Sequence, residues 1–262
     1  MRHADRWIES KYVQRRGKLV ASRNPAEVGV GSRLITDRIA ALYDQHLPRY
    51  ARGRLIDLGC GKVPLYGCYR RLVDEVTCVD WPQSVHAFSD REGHLDLEAD
   101  LSQPLPFADA SFDTLILSDV LEHVPTPEAL WFEMARLLTP GGHLLLNTPF
   151  LYGVHEAPHD YARYTEYALR RFARQAGLDV PLLLPIGGSL HVLADLLAKH
   201  LAHLPAVGNV LASAVQGAVA LLDRSRLGQR VSARTGPRFP LGYFMVAQRP
   251  VAVGGAAVAA VG

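Results

Sequence analysis

Cysteine is scarce in this chain: 262 residues contain three, Cys60, Cys68 and Cys78. An odd count at these spacings excludes a regular disulfide framework, offers no zinc-binding pattern and fits a reducing cytosol. Lysine is rare beside arginine, 4 against 24, and the 28 basic and 26 acidic residues leave a net charge of only +2. So small an excess gives no general attraction to nucleic acid, and no such partner is expected. Long apolar runs are missing as well. The nearest approach to a membrane span, Leu204 to Leu222, is interrupted by Gly208, Asn209, Ser213, Gln216 and Gly217, which argues against one. The opening MRHADRWIESKYVQRRGK lacks the apolar stretch of a secretory signal. No internal repeat is visible.

What is present is a globular composition, 48% hydrophobic and 21% charged. The length suits one large domain, or one domain with an appendage. Residues 1–30 are polar, Arg-rich and without a clear period, and read as an arm with one short helix at most. A helix over Ser32–Leu47 is predicted, capped by Ser32 and ended by Pro48, with Leu34, Ile35, Ile39, Leu42 and Tyr43 on one face.

From there strands and helices alternate. GRLIDLG (53–59), VTCVD (76–80), HLDLEAD (94–100), FDTLILSD (112–119) and GGHLLLNTP (141–149) read as strands. A helix over Pro127–Leu138 has Thr126 as its cap and TPGG (139–142) as its stop. Thr165–Gly177 is another helix, followed by a strand near Val180–Pro185. Such alternation means βαβ units and a doubly wound, mostly parallel sheet covered on both faces. Two helices, Leu190–Leu204 and Val207–Leu222, then break the pattern before FPLGYFMVAQRP (239–250) returns to strand character. The last residues, 251–262, read as a frayed tail.

The segment LIDLGCGKVP carries the chemistry. A strand ends in Asp57, Gly59 and Gly61 follow, and a helix is expected near Pro64. The glycines allow a tight turn and close approach of a ligand. In an open parallel sheet ligands sit beyond the C-terminal strand ends. A dinucleotide loop needs a third glycine, which Pro64 replaces, and an acid so near bound phosphates would repel them. The acid suits a ligand with a positive amino group, such as S-adenosylmethionine. Cys60, between the glycines, reads as a small filler of the loop. Asp80 ends the second strand, where a carboxylate accepts from both ribose hydroxyls. Asp100 and Leu101 follow the third and could read an adenine edge and pack on its ring. Trp81 could stack on the adenine or sit half-buried in the core.

With these pieces together, the chain resembles the class I S-adenosylmethionine-dependent methyltransferases, particularly the type 11 group. The carriers are IDLGCG, CVD, ADLSQPLPFADASFD, SDVLEHV and RLLTPGGHLLLNTP, over roughly residues 50–150. The resemblance implies a seven-stranded Rossmann-like sheet with its last strand antiparallel. It also implies that Asp57, Gly59 and Gly61 face the methionine moiety, that Asp80 holds the ribose, that Asp100 and Leu101 hold the adenine, and that Ser118 lines the methionine end. Val63 departs from the many members with a third glycine. The expected organisation is an arm and helix over 1–50, a cofactor-binding domain over 51–187 and 236–250, and a helical insertion over 188–235.

The acceptor side is placed in LYGVHEAPHDYARYTEYALRRF (151–172), just after the fifth strand. His155 or His159 is the expected base, oriented by Asp160; the competing reading is a polar loop braced by Asp160, Arg163 and Thr165. His123 could touch either pocket or simply pack on the sheet. A metal site is not expected. In the insertion, Leu190, Leu193, Leu197, Leu201 and Leu204 line one face and His191, Asp195, Lys199 and His203 another, which is expected to meet water. The apolar faces need a partner: the sheet domain beneath a lid, a second copy in a homodimer, or the inner face of a membrane, with Arg224, Arg226, Arg230, Arg234 and Arg238 available for anionic head groups. The expected activity is methyl transfer to a small-molecule, glycan or lipid-linked acceptor at oxygen. A non-catalytic cofactor-binding module stands as the alternative, and the location expected is the cytoplasm.

Overall fold

The computed structural model describes residues 1–81 and 94–251. Its centre is a seven-stranded sheet built from β3 (Arg54–Leu58), β4 (Glu75–Asp80), β5 (Leu97–Glu98), β6 (Phe112–Ser118), β7 (Leu138–Pro149), β8 (Asp179–Ile186) and β9 (Gly242–Gln248). The spatial order is β5-β4-β3-β6-β7-β9-β8. Pairing is parallel from β5 through β7, and β9 runs antiparallel to both its neighbours. The expected sheet, with its antiparallel last strand, is therefore present.

Strand residues alternate between two cores, as a sheet covered on both faces requires. Leu115, Leu117, Leu144, Leu146, Met245 and Ala247 point to α3 (Pro127–Leu137) and α4 (Glu166–Gln175). Ile116, Leu145, Phe244 and Val246 point to Ile39, Tyr43 and Leu47 of α1 (Arg33–Tyr50). The sequence ran on opposite sides of β3: β4 and β5 lie to one side, and β6 to the other. Between β3 and β6 lies the switch point where ligand crevices open.

Several local expectations are corrected. Residues 12–21 are a β-hairpin, β1 (Tyr12–Arg15) with β2 (Lys18–Ala21), around Arg16 and Gly17 at φ 52° and 73°. Ser32 makes no capping bond to α1, whose last turn includes Pro48. Thr126 likewise makes none to α3, whereas Thr165 caps α4 by accepting from the Ala168 N–H. The helix expected near Pro64 is only α2, Tyr66–Tyr69. The third strand shrinks to two residues, and Asp96 just before it accepts from the Cys78 N–H. Beyond Val251, the expected tail lies outside the described residues.

The insertion holds three helices: α5 (Ser189–Ala202), α6 (Gly208–Leu222) and α7 (Arg226–Thr235). Its first helix is inverted relative to expectation. His191 and Asp195 are fully buried, while Leu193, Leu197 and Leu204 are exposed. The reason is a polar seam: the His191 ring donates to Asp223 at 2.6 Å and accepts from the Gly188 N–H, Asp223 also pairs with Arg38, and Lys199 bonds Asp195 at 2.6 Å. These bonds give each of these side chains at least one partner, with Asp195 Oδ1 and Arg38 Nε left unpaired, and the leucines are left facing outward.

Candidate functional site

The cradle forms at the C-terminal ends of β3 and β4. Gly59 and Gly61 adopt left-handed backbone (φ 67° and 50°), and so does Val63 (φ 50°) in place of the third glycine. A Cβ on Gly59 would lie 2.4 Å from Val120 just beyond β6, so the loop closes against the far wall of the crevice. Asp80 pins this loop: one carboxylate oxygen accepts from the Gly61 N–H at 3.0 Å, the other from the Trp81 N–H at 2.8 Å. Asp57 is buried, bonded by the Tyr69 hydroxyl at 2.7 Å. Burial, with Asp80 adding to it, raises its pKa to about 7 against the relief from Tyr69. A positive ligand group nearby would restore its charge. Cys60 is buried within the loop. Asp100 is exposed and accepts from both the backbone and hydroxyl of Ser102, and Leu101 is buried in the core.

The N-terminal segment covers this cradle, which the sequence had not suggested. The Trp7 indole donates to the Val63 carbonyl at 3.0 Å and packs edge-on against Tyr66. Lys11 reaches Asp119 at 2.7 Å; burial alone would lower its pKa, but Asp119 holds it above the usual lysine range. Behind Asp119, Asn147 donates to its carboxylate and accepts from Ser118 and Tyr43, both at 2.8 Å. Ser118 thus belongs to a fixed polar wall between β6 and β7.

Segment 151–165 closes the other side. His159 packs edge-on against Trp81 at 4.8 Å, and its backbone carbonyl accepts from His123 Nδ1 at 2.7 Å. His159 Nδ1 pairs with the Tyr161 hydroxyl. Asp160 accepts from the His155 N–H and takes both guanidinium nitrogens of Arg163, which holds its carboxyl below the usual range. Asp160 thus ties Arg163 to the backbone of His155 and braces the loop. Burial, with His123 next, lowers the pKa of His155, so its ring is neutral.

The centre of this side is Glu122, a residue that sequence reasoning passed over for its neighbour His123. Glu122 is fully buried; Oε2 accepts from Thr148 at 3.2 Å and Oε1 has no hydrogen-bond partner. Burial, then the charge of Asp119, pushes its carboxyl well above the usual range. The insertion touches this wall through Lys199, which sits 3.3 Å over the Tyr152 ring.

Residues 56–146 match the family model described as a methyltransferase domain. The matched segment begins in β3 and ends in β7, so it takes in the cradle. Two curated relatives of the matched region are ubiquinone biosynthesis O-methyltransferases. That of Cupriavidus pinatubonensis is 29% identical over 150 residues, 48% of this chain and 60% of that protein. That of Xanthomonas oryzae pv. oryzae is 34% identical over 104 residues, 37% of this chain and 44% of that protein. The chain thus spans about half the length of the curated relatives it matches. Among solved structures, the [4+2]-cyclase SpnF superposes with a TM-score of 0.53 at 20% identity, covering 93% of this chain and 87% of that one. A Bacillus halodurans protein solved as a candidate methyltransferase gives 0.51 at 15%, covering 80% and 98%. At such identities the likeness concerns the fold alone.

The cradle fits S-adenosylmethionine, the cofactor of such domains. Its left-handed glycines leave room for a close ligand, its buried acid suits the methionine ammonium, and the strand-end carboxylate suits the ribose.

Proposed function

We propose that the chain is an S-adenosylmethionine-dependent O-methyltransferase acting on a small or lipid-linked acceptor. Asp57, Gly59 and Gly61 would hold the methionine portion, Asp80 the ribose, Asp100, Leu101 and Trp81 the adenine, with Ser118 in the wall beside the methionine end. When bound, the cofactor supplies an electrophilic methyl group; the protein supplies alignment and proton handling. The acceptor oxygen forms its bond to the methyl carbon as the carbon–sulfur bond breaks, leaving a neutral thioether. The hydroxyl proton is lost at the cluster of His155, His123 and Glu122. The observation that carries the reading is the junction of the two halves: Trp81, next to Asp80, touches His159 of the acceptor segment. The outward leucines of α5 and the exposed arginines of α7 support an acceptor presented at the inner face of an anionic membrane.

Calorimetry on the purified protein tests the core of this. We expect binding of S-adenosylmethionine and of its demethylated product, and none of NAD. Heat with NAD and none with the sulfonium ends the reading. In turnover assays on candidate phenolic or lipid-linked hydroxyls, His155→Ala should lower the rate roughly 10²–10⁴-fold while cofactor affinity holds within about twofold. His159→Ala should cost less, its Nδ1 being tied to Tyr161. Cofactor binding without transfer to any acceptor would favour a non-catalytic module.

A further inference from the structure

We propose that Glu122 Oε1, His123 Nε2 and His155 Nε2 form a divalent-cation site on the acceptor side of the cleft. The three atoms lie within 4.8 Å of one another. His123 Nε2 and His155 Nε2 stand 3.7 and 3.8 Å from Glu122 Oε1. That is too long for a hydrogen bond, which closes to about 3 Å. It is close to the roughly 3.5 Å that two ligands keep when each sits about 2.1 Å from one tetrahedral ion.

The proton inventory points the same way. His123 Nδ1 faces the His159 carbonyl at 2.7 Å. A carbonyl only accepts, so Nδ1 carries the proton and Nε2 presents a lone pair. His155 Nδ1 faces the Gly153 carbonyl and the Asp160 carboxylate, each at 3.3 Å, which assigns the same tautomer. Two imidazole lone pairs and a Glu122 carboxyl oxygen thus converge on one point. Among the described residues, Glu122 Oε1 and His123 Nε2 are buried without any hydrogen-bond partner. Leaving such groups unsatisfied is costly, and one cation would satisfy all three. The carbonyl and carboxylate behind the imidazoles are the outer partners that ligating histidines usually have. Glu156 Oε2, 3.8 Å from His123 Nε2, is placed to approach as a fourth ligand. Two imidazoles select a borderline ion such as Zn²⁺ or Fe²⁺ over Ca²⁺.

The site stands on this geometry alone; its role rests on the methyltransferase reading. A cation there would lower the pKa of an acceptor hydroxyl beside it and so ease the loss of its proton before methyl transfer.

The test uses the full chain, stripped with chelator, and Co²⁺ as the spectroscopic probe. We expect one equivalent to bind with the visible absorption of a four- or five-coordinate ion, and Zn²⁺ to displace it. Glu122→Gln and His155→Asn should each weaken binding by at least tenfold, and His203→Gln should not. His155 lies on a partly exposed segment, so its variant is expected to fold, as circular dichroism will verify. Absence of stoichiometric binding, or binding unchanged in both site variants, overturns the proposal. Cofactor calorimetry on the metal-free protein is scored separately. A protein that binds the cofactor but no cation defeats this inference and leaves the methyltransferase reading intact; the opposite result does the reverse.

Discussion

Asp57 sits beside a second carboxylate with one neutral hydroxyl as its partner. In the unfolded chain its carboxyl ionises near 3.8, and in the fold near about 7. Between these values the folded protein holds a proton that the unfolded chain has lost. Stability should therefore fall as pH rises through that window, by up to about 1.4 kcal/mol per unit, and level off above it. Denaturant titrations at about pH 5 and about pH 8 should show a shallower fall for Asp57→Asn; an equal fall in both proteins acquits this residue. Glu122 is shifted in the same direction and leaves a residual slope. Gly59 gives a second test at this scale. Its left-handed backbone alone should cost Gly59→Ala about 1–2 kcal/mol, before the contact with Val120. An unchanged denaturation midpoint would contradict that. The glycines, Asp57 and Asp80 were legible in sequence because all belong to two strand ends a short distance apart. Glu122, Lys11, Asp119 and Asn147 were not, because their meaning arises only where four separate segments meet.

Elements were legible in proportion to how completely they are buried. β6 and β7 contain LIL and LLL because both faces of the sheet are covered, so the pattern survives without tertiary information. The β1–β2 hairpin was not legible, its strands being only four residues each, although Arg16-Gly17 between two alternating runs is a turn signal. The period of α5 identified a helix correctly and its buried face wrongly. A leucine stripe normally turns inward, but a carboxylate from the end of α6 captures His191 and Arg38 and rotates the preference. Asp223→Ala removes that clasp and strands a buried imidazole. We expect about 1–3 kcal/mol of local destabilisation, seen as faster amide exchange across α5–α7 with the sheet unchanged. Uniform acceleration through the whole chain, or none, would show that the clasp does not hold the insertion in place.

At the scale of the molecule, the insertion carries outward leucines and, in its last helix, a run of arginines. Leu193, Val210, Leu221 and Leu227 are between 63 and 70% exposed. Arg224, Arg226, Arg230, Arg234 and Arg238 are exposed too, and on α7 Leu227, Arg230 and Arg234 fall on one face. Among the described residues, no helix is long and apolar enough to cross a membrane. A surface that combines both features without spanning is what an anionic interface recruits. The insertion also reaches the acceptor wall through Lys199 and Tyr152, so a docked molecule would bring that wall close to lipid. Co-sedimentation with phosphatidylglycerol-containing vesicles should therefore retain the protein, less so as salt rises. Each arginine near the surface contributes about 1 kcal/mol, so changing Arg224, Arg226 and Arg230 together to Gln should weaken binding roughly 100-fold. Leu193→Ser with Leu197→Ser should weaken it without altering the salt dependence, because apolar insertion is not screened. Protein that ignores such vesicles and instead sediments as a dimer, broken by Leu193→Arg, would assign the same surface to a second copy of the chain.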